Sequence, residues 1–61
     1  MKVKAIIKQL KTQGWMQVRT KGSHRQFQHP RKPGTVTVAG KLSVEIPQGT
    51  LKSIQKQAGL E

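Results

Sequence analysis

Trp15-Met16-Gln17-Val18-Arg19-Thr20-Lys21-Gly22-Ser23-His24-Arg25-Gln26-Phe27-Gln28-His29 is the stretch that decides the fold. From Trp15 to Thr20 the side chains alternate, with Met16, Val18 and Thr20 on one face and Trp15, Gln17 and Arg19 on the other, which is the signature of a strand. Lys21-Gly22-Ser23 reads as a turn, because Gly22 can supply a positive φ. His24 to His29 reads as a second strand, in which His24, Gln26 and Gln28 share one face if no bulge intervenes and Phe27 takes the other. Two strands joined this tightly form an antiparallel hairpin.

Working outward, Val3, Ile6, Ile7 and Leu10 recur at i, i+3, i+4 and i+7, so residues 2–13 are expected to be an amphipathic helix ended by Gly14. Lys2, Lys4, Lys8 and Lys11 fall mostly off that stripe. After the hairpin, Pro30-Arg31-Lys32-Pro33-Gly34 is a loop, and Thr35 to Ala39 is a third, β-branched strand. Residues 40–46 give no clear pattern. A second helix is expected from about Pro47, since proline is tolerated in a first helical turn, with Gln48 or Thr50 as candidate caps. Leu51, Ile54 and Ala58 make its apolar stripe, Lys52 and Lys56 face away, and Gly59 ends it, with Leu60 placed for a hydrophobic contact. The expected class is therefore α+β, in the order α-β-β-β-α. A three-stranded antiparallel sheet carries both helices on one face and leaves the other open to solvent.

A chain of 61 residues is expected to form one domain, 1–61, around a thin core, because only 33% of its residues are hydrophobic and its aromatics are Trp15 and Phe27. Trp15 is expected to close the core where the first helix meets the first strand, rather than to stack on a base. Twelve Lys and Arg stand against two acids, Glu45 and Glu61, for a formal net charge of +10. Self-repulsion of that size opposes compaction, and the usual compensation is a polyanion such as RNA. No stretch reaches the length of a membrane span and no segment has the anchors of a membrane-surface helix. No signal peptide is evident at the start. A cytoplasmic protein without a membrane partner is expected.

The same inventory narrows the chemistry. The chain has no cysteine and no aspartate. That leaves no thiol nucleophile, no orienting acid for a Ser–His pair, and too few carboxylates to hold a catalytic metal. Gly22 and Gly34 are isolated turn glycines rather than parts of a phosphate-binding loop. No metal site and no small-molecule cofactor are expected. Metal-free cleavage of RNA remains, because RNA carries its own nucleophile in the 2′-hydroxyl. His24 opens the second strand amid Lys21, Arg25 and the neighbouring Arg19. By residue type it is equally a turn histidine or a general base. His29 reads as a histidine at a loop edge. Gln26, Gln28, Thr35 and Thr37 are candidate hydrogen-bonding groups on the open face. A non-catalytic RNA-binding module explains charge and fold as well. A DNA-binding role fits less, since a β-meander offers no recognition helix.

Lys21-Gly22-Ser23-His24-Arg25-Gln26-Phe27-Gln28-His29-Pro30 resembles the core motif of the HicA (YcfA-like) toxins. Ile46-Pro47-Gln48-Gly49-Thr50-Leu51-Lys52-Ser53-Ile54, running into Lys56-Gln57-Ala58-Gly59-Leu60, resembles their C-terminal helix, and the lysine-rich start leading to Gly14-Trp15 is similar too. The resemblance spans nearly the whole chain. It implies a double-stranded-RNA-binding-domain-like fold and the activity of an endoribonuclease acting on mRNA, the toxin of a toxin–antitoxin pair. It also implies an acidic, inhibitory partner, a HicB-type antitoxin, that covers the active site in a hetero-oligomer. The family's catalytic histidine falls on His24 and its adjoining small residues on Gly22 and Ser23. Many relatives carry a second histidine where this chain has Arg25, and some carry one where it has Lys41. Lys21, Gly22, Ser23, Arg25, Arg19 and Lys41 are accordingly expected to contact RNA.

Overall fold

The computed structural model describes residues 1–60; Glu61 lies outside the described residues. Helix α1 spans Val3–Thr12, strands β1, β2 and β3 span Met16–Lys21, His24–Gln28 and Val36–Val38, and helix α2 spans Gln48–Ala58. The strands form one antiparallel sheet in the order β1-β2-β3. The expected α-β-β-β-α order is present.

Each element follows from its residues. Val3, Ile6, Ile7 and Leu10 are all buried on α1, so the apolar stripe faces the core. The helix ends in a Schellman pattern: Gly14, at φ +95°, donates its N–H to Lys11 O, and the Trp15 N–H reaches back to Leu10 O at 2.9 Å. The chain is thereby turned so that Trp15 drops into the core, where it is 1% exposed. Its indole N–H is buried without a hydrogen-bond partner. Such a desolvated donor costs roughly 1–3 kcal/mol, which the packing of this large ring must outweigh. Helix α2 ends in the same pattern, with Gly59 N–H on Lys56 O and Leu60 N–H on Gln55 O. The Lys32 ammonium adds a bond of 3.2 Å to the last free carbonyl, that of Ala58, a favourable place for a cation at a helix C-terminus. Gln48 and Thr50, the expected caps of α2, do not cap it: the helix starts after Pro47 with no side-chain cap.

Sheet and helices meet on one side. Phe27 lies opposite Val36 across β2 and β3, and both are fully buried, as is Val38. They pack with the α1 stripe, Trp15, Ile46, and Ile54 and Ala58 of α2 in a single cluster. Both helices therefore cover this face. Leu51 is only partly buried against the cluster.

Residues 40–46, which have no periodicity, are ordered by distant backbone partners. The first N–H groups of a helix lack partners within it. Here the Val3 N–H donates to Val44 O at 2.9 Å and the Lys4 N–H to Leu42 O at 3.1 Å, while the Ile46 N–H returns to Met1 O. The segment is a backbone cap for α1. Glu45 sits in it and pairs with the Met1 ammonium at 3.0 Å.

His29 has a larger part than that of a loop-edge residue. Its Nδ1 accepts the N–H groups of Arg31 and Lys32 at 3.0 and 3.2 Å. The ring proton therefore sits on Nε2, which donates to Gln13 O at 2.9 Å. The ring also meets Trp15 edge-on, with centroids 5.3 Å apart. His29 thus ties the end of α1, the core tryptophan and the Pro30–Gly34 loop together. A Cβ added at Gly14 would stand 2.8 Å from His29 Nε2. Replacing Gly14 with Ala is expected to cost about 1–3 kcal/mol from backbone strain alone. Thermal unfolding should show a fall in Tm of at least about 4 °C, by the roughly 4–8 °C per kcal/mol of a domain this small.

Candidate functional site

Strand parity decides which side chains reach the open face. In β2, Phe27 and Arg25 share the covered side, so His24, Gln26 and Gln28 point to the open one. His24 is exposed there, as its sequence position suggested. It lies directly opposite Lys21, the two flanking the Gly22-Ser23 turn. Gly22 has φ +60° and Ser23 a negative φ, the pattern of a two-residue type II′ hairpin turn. Such a turn matches the strand twist and fixes the register of Lys21 against His24.

Strand β1 departs from simple alternation. Gln17 pairs with Phe27 and Arg19 with Gln26, so Val18 is an extra residue, a β-bulge. Unbroken alternation would group Arg19 with Trp15 and Gln17. The bulge reverses the parity beyond it: Arg19 and Lys21 join Met16 on the open face, and Thr20 turns to the other. A hydrogen bond from the Gln17 amide to the Thr20 hydroxyl spans the irregularity. The turn itself sets Lys21, and with it Arg19, on the side of His24, and the bulge lets Gln17 at the other end of the strand lie opposite Phe27.

The result is a shallow cleft of about 610 Å³ lined by Arg19, Lys21, Gly22, His24, Gln26 and Thr37. It unites an imidazole, a guanidinium, an ammonium, an amide and a hydroxyl. The described part of the chain has one carboxylate side chain, Glu45, and that is engaged with Met1, so the cations of the cleft are uncompensated. Met16 and Val18, 59% and 49% exposed, form an apolar margin along the same edge.

Arg25, unlike the other expected RNA contacts on this hairpin, shares the parity of Phe27 and lies opposite Val38. Its guanidinium donates to Gly40 O at 2.8 Å and approaches Ser23 O at 3.4 Å. Gly40 in turn donates its N–H to Ser23 O at 3.2 Å. Arg25 is therefore a half-buried brace that stitches the end of β3 to the turn carrying His24. The stitch also fixes the place of Lys41, which follows Gly40 and is exposed beside that turn. The brace was legible in principle, since residues 25 and 27 must share a face; its acceptor, a backbone carbonyl fifteen residues away, was not.

Among the described residues, no three of His, Cys, Asp or Glu gather where they would hold a metal ion, and no helix is long and apolar enough to cross a membrane. The family model for the HicA toxin of bacterial toxin–antitoxin systems matches residues 3–60 of the chain. Among curated proteins, none matches it.

If Arg25 is the brace, Arg25→Gln will loosen the turn without unfolding the sheet. Native-state hydrogen exchange is expected to speed up at the Gly40 amide by about tenfold or more, since a hydrogen bond to a charged group is worth about 1.5–3 kcal/mol. The Phe27 amide should keep its protection. Unchanged exchange at Gly40 would deny Arg25 this role.

Proposed function

The chain belongs to the HicA toxin family, and from that premise we propose that it is a metal-independent endoribonuclease that cleaves mRNA with His24 as general base. Family membership itself places the chain in a toxin–antitoxin system with an antitoxin partner. The observation that carries the reading is the placement of one exposed imidazole on the open sheet face, opposite Lys21 and in the same cleft as Arg19.

RNA supplies its own nucleophile. His24 removes the 2′-hydroxyl proton, and O2′ attacks the adjacent phosphorus. The bond from phosphorus to O5′ breaks, and the leaving oxygen takes a proton from water or from a neighbouring lysine. The products are a 2′,3′-cyclic phosphate and a 5′-hydroxyl. Negative charge builds on the phosphoryl oxygens during the step, where Arg19, Lys21 and Lys41 neutralise it. The tight turn at Gly22 and Ser23 brings the strand close to the backbone, and Gln26 and Thr37 offer hydrogen bonds to the nucleotide. Arg25 serves the reaction from behind, by holding the turn.

The inventory of residues supports a route without metal. With no aspartate and a single side-chain carboxylate among residues 1–60, the described residues offer no ligand set for a divalent ion. The antitoxin fits the same face. An acidic partner of the HicB type would find a complementary field, which speeds association and suppresses wrong partners. The exposed Met16 and Val18 give such a protein apolar area that a phosphate backbone does not use.

The test separates cutting from holding. His24 is exposed, so His24→Ala should leave the fold intact by circular dichroism. With chelator present, cleavage of a labelled transcript should fall by about 10²–10⁴-fold, the usual contribution of a general base. The affinity for RNA, measured at the same salt concentration, should stay within about twofold. Undiminished cleavage would overturn the role of His24. Intact transcript after exposure to many equivalents of the unaltered protein would favour a module that binds RNA without cutting it.

A further inference from the structure

The cleft, its brace and the Lys41 beside its turn account for Arg19, Lys21, Arg25 and Lys41, leaving eight of the twelve Lys and Arg elsewhere. Three of these form an ordered feature. Lys4, Lys8 and Lys11 recur at i, i+4 and i+7, so they line one flank of α1, and all are exposed. The arrangement opposes the helix that bears it. Like charges three and four residues apart repel, and α1 contains no acid to relieve them. Lys4 also lies in the first turn, where the helix dipole disfavours a cation. An anion laid along this flank removes both penalties.

The flank begins where the cleft ends. Gly40 donates to Ser23 O, beside His24, and the Lys4 N–H donates to Leu42 O. Gly40 also lies against Val3, since a Cβ there would be 3.5 Å from Val3 Cγ2. Gly40, Lys41 and Leu42 therefore bridge the His24 turn and the start of α1, with the exposed Lys41 between them. From Lys4 to Lys11 the flank then runs about 10 Å, at 1.5 Å per residue. Beside it lies a groove lined by Ala5, Lys8, Gln9, Thr12, Gln13 and Leu60, whose amides can meet bases while Lys8 meets phosphate.

We propose that the strand of RNA held at His24 continues past Lys41 and along α1, with its phosphates neutralised by Lys4, Lys8 and Lys11. The occupant is a single strand, since the path bends round one end of the molecule from the sheet face to the helix layer. Such a track is sequence-tolerant and gives the protein its grip on RNA away from the scissile bond. The inference rests on the RNA reading of the cleft, and binding can test it without cleavage.

The experiment measures binding of a labelled single-stranded oligoribonucleotide by the His24→Ala protein over a range of salt. Adding K4Q, K8Q and K11Q should lower affinity at least tenfold at low salt. It should also make the salt slope shallower by about 2, at roughly 0.7 per phosphate contact on a single strand. Adding K52Q, K56Q and R31Q removes equal charge outside the path and should change the slope by less than 1. Because the α1 lysines repel, their replacement should leave Tm unchanged or raised, which excludes unfolding as the cause. Equal losses from both triple sets would overturn the track and leave only net charge. If the unaltered protein fails to cut RNA but the α1 set alone weakens binding, the nuclease reading fails and the track stands. If cleavage needs His24 but the α1 set binds normally, the reverse holds.

Discussion

Phe27 and Val36 face each other across β2 and β3, fully buried beneath α1 and α2. Few large side chains are available to a chain this small, and burying one sheet face against two helices uses both aromatics and most of the aliphatics, leaving Met1, Met16, Val18, Leu42 and Val44 exposed. The core cluster holds one Phe, one Trp and a set of aliphatics. With so little apolar area to bury, the protein stands close to the lower limit for an independently folding domain. Every lysine and arginine is consequently pushed outward or onto a backbone carbonyl. The Lys32 bond to Ala58 O and the Arg25 bond to Gly40 O are the two side-chain cations used inside the architecture.

The buried face dictates the working face. Once Phe27 points in, strand geometry sends His24 and Gln26 out, and the hairpin turn sets Lys21 against His24. Arg19, opposite Gln26, falls on the same side by simple alternation from Lys21, and the bulge at Val18 keeps Gln17 opposite Phe27. Candidate site and fold are thus coupled through parity: the shallow cleft at the end of the sheet gathers cations round an imidazole. An open site of this kind suits a long, flexible polyanion, and it leaves the same surface accessible to an inhibitory protein.

Much of this was legible in the sequence, for identifiable reasons. The α1 stripe, the helix-ending glycines Gly14 and Gly59, and the burial of Trp15 rest on local rules that tertiary context did not override. The exposure of His24 followed from the parity of Phe27. Other features arise from partners distant in the chain. The bulge at Val18 carries no residue signature, yet it puts Arg19 on the opposite face from Gln17. Residues 40–46 lack periodicity because their order comes from the unpaired N–H groups of α1. His29 resembled a loop histidine because the partner that ties it to α1, Gln13 O, lies sixteen residues away. The backbone bond of Arg25 had no sequence signal because its acceptor, Gly40 O, is fifteen residues away.

The central claim is that His24 takes a proton from the 2′-hydroxyl of the RNA itself. The most direct measurement uses an oligoribonucleotide with one mapped cleavage position, with and without a single 2′-deoxy substitution at the nucleotide 5′ to that bond, in the presence of chelator. The account predicts that the all-ribose strand is cut to a 2′,3′-cyclic phosphate and a 5′-hydroxyl, and that the substituted strand resists cleavage at that position. Cleavage across the deoxynucleotide, or products bearing a 5′-phosphate, would contradict it, because the attacking oxygen would then come from somewhere other than the substrate.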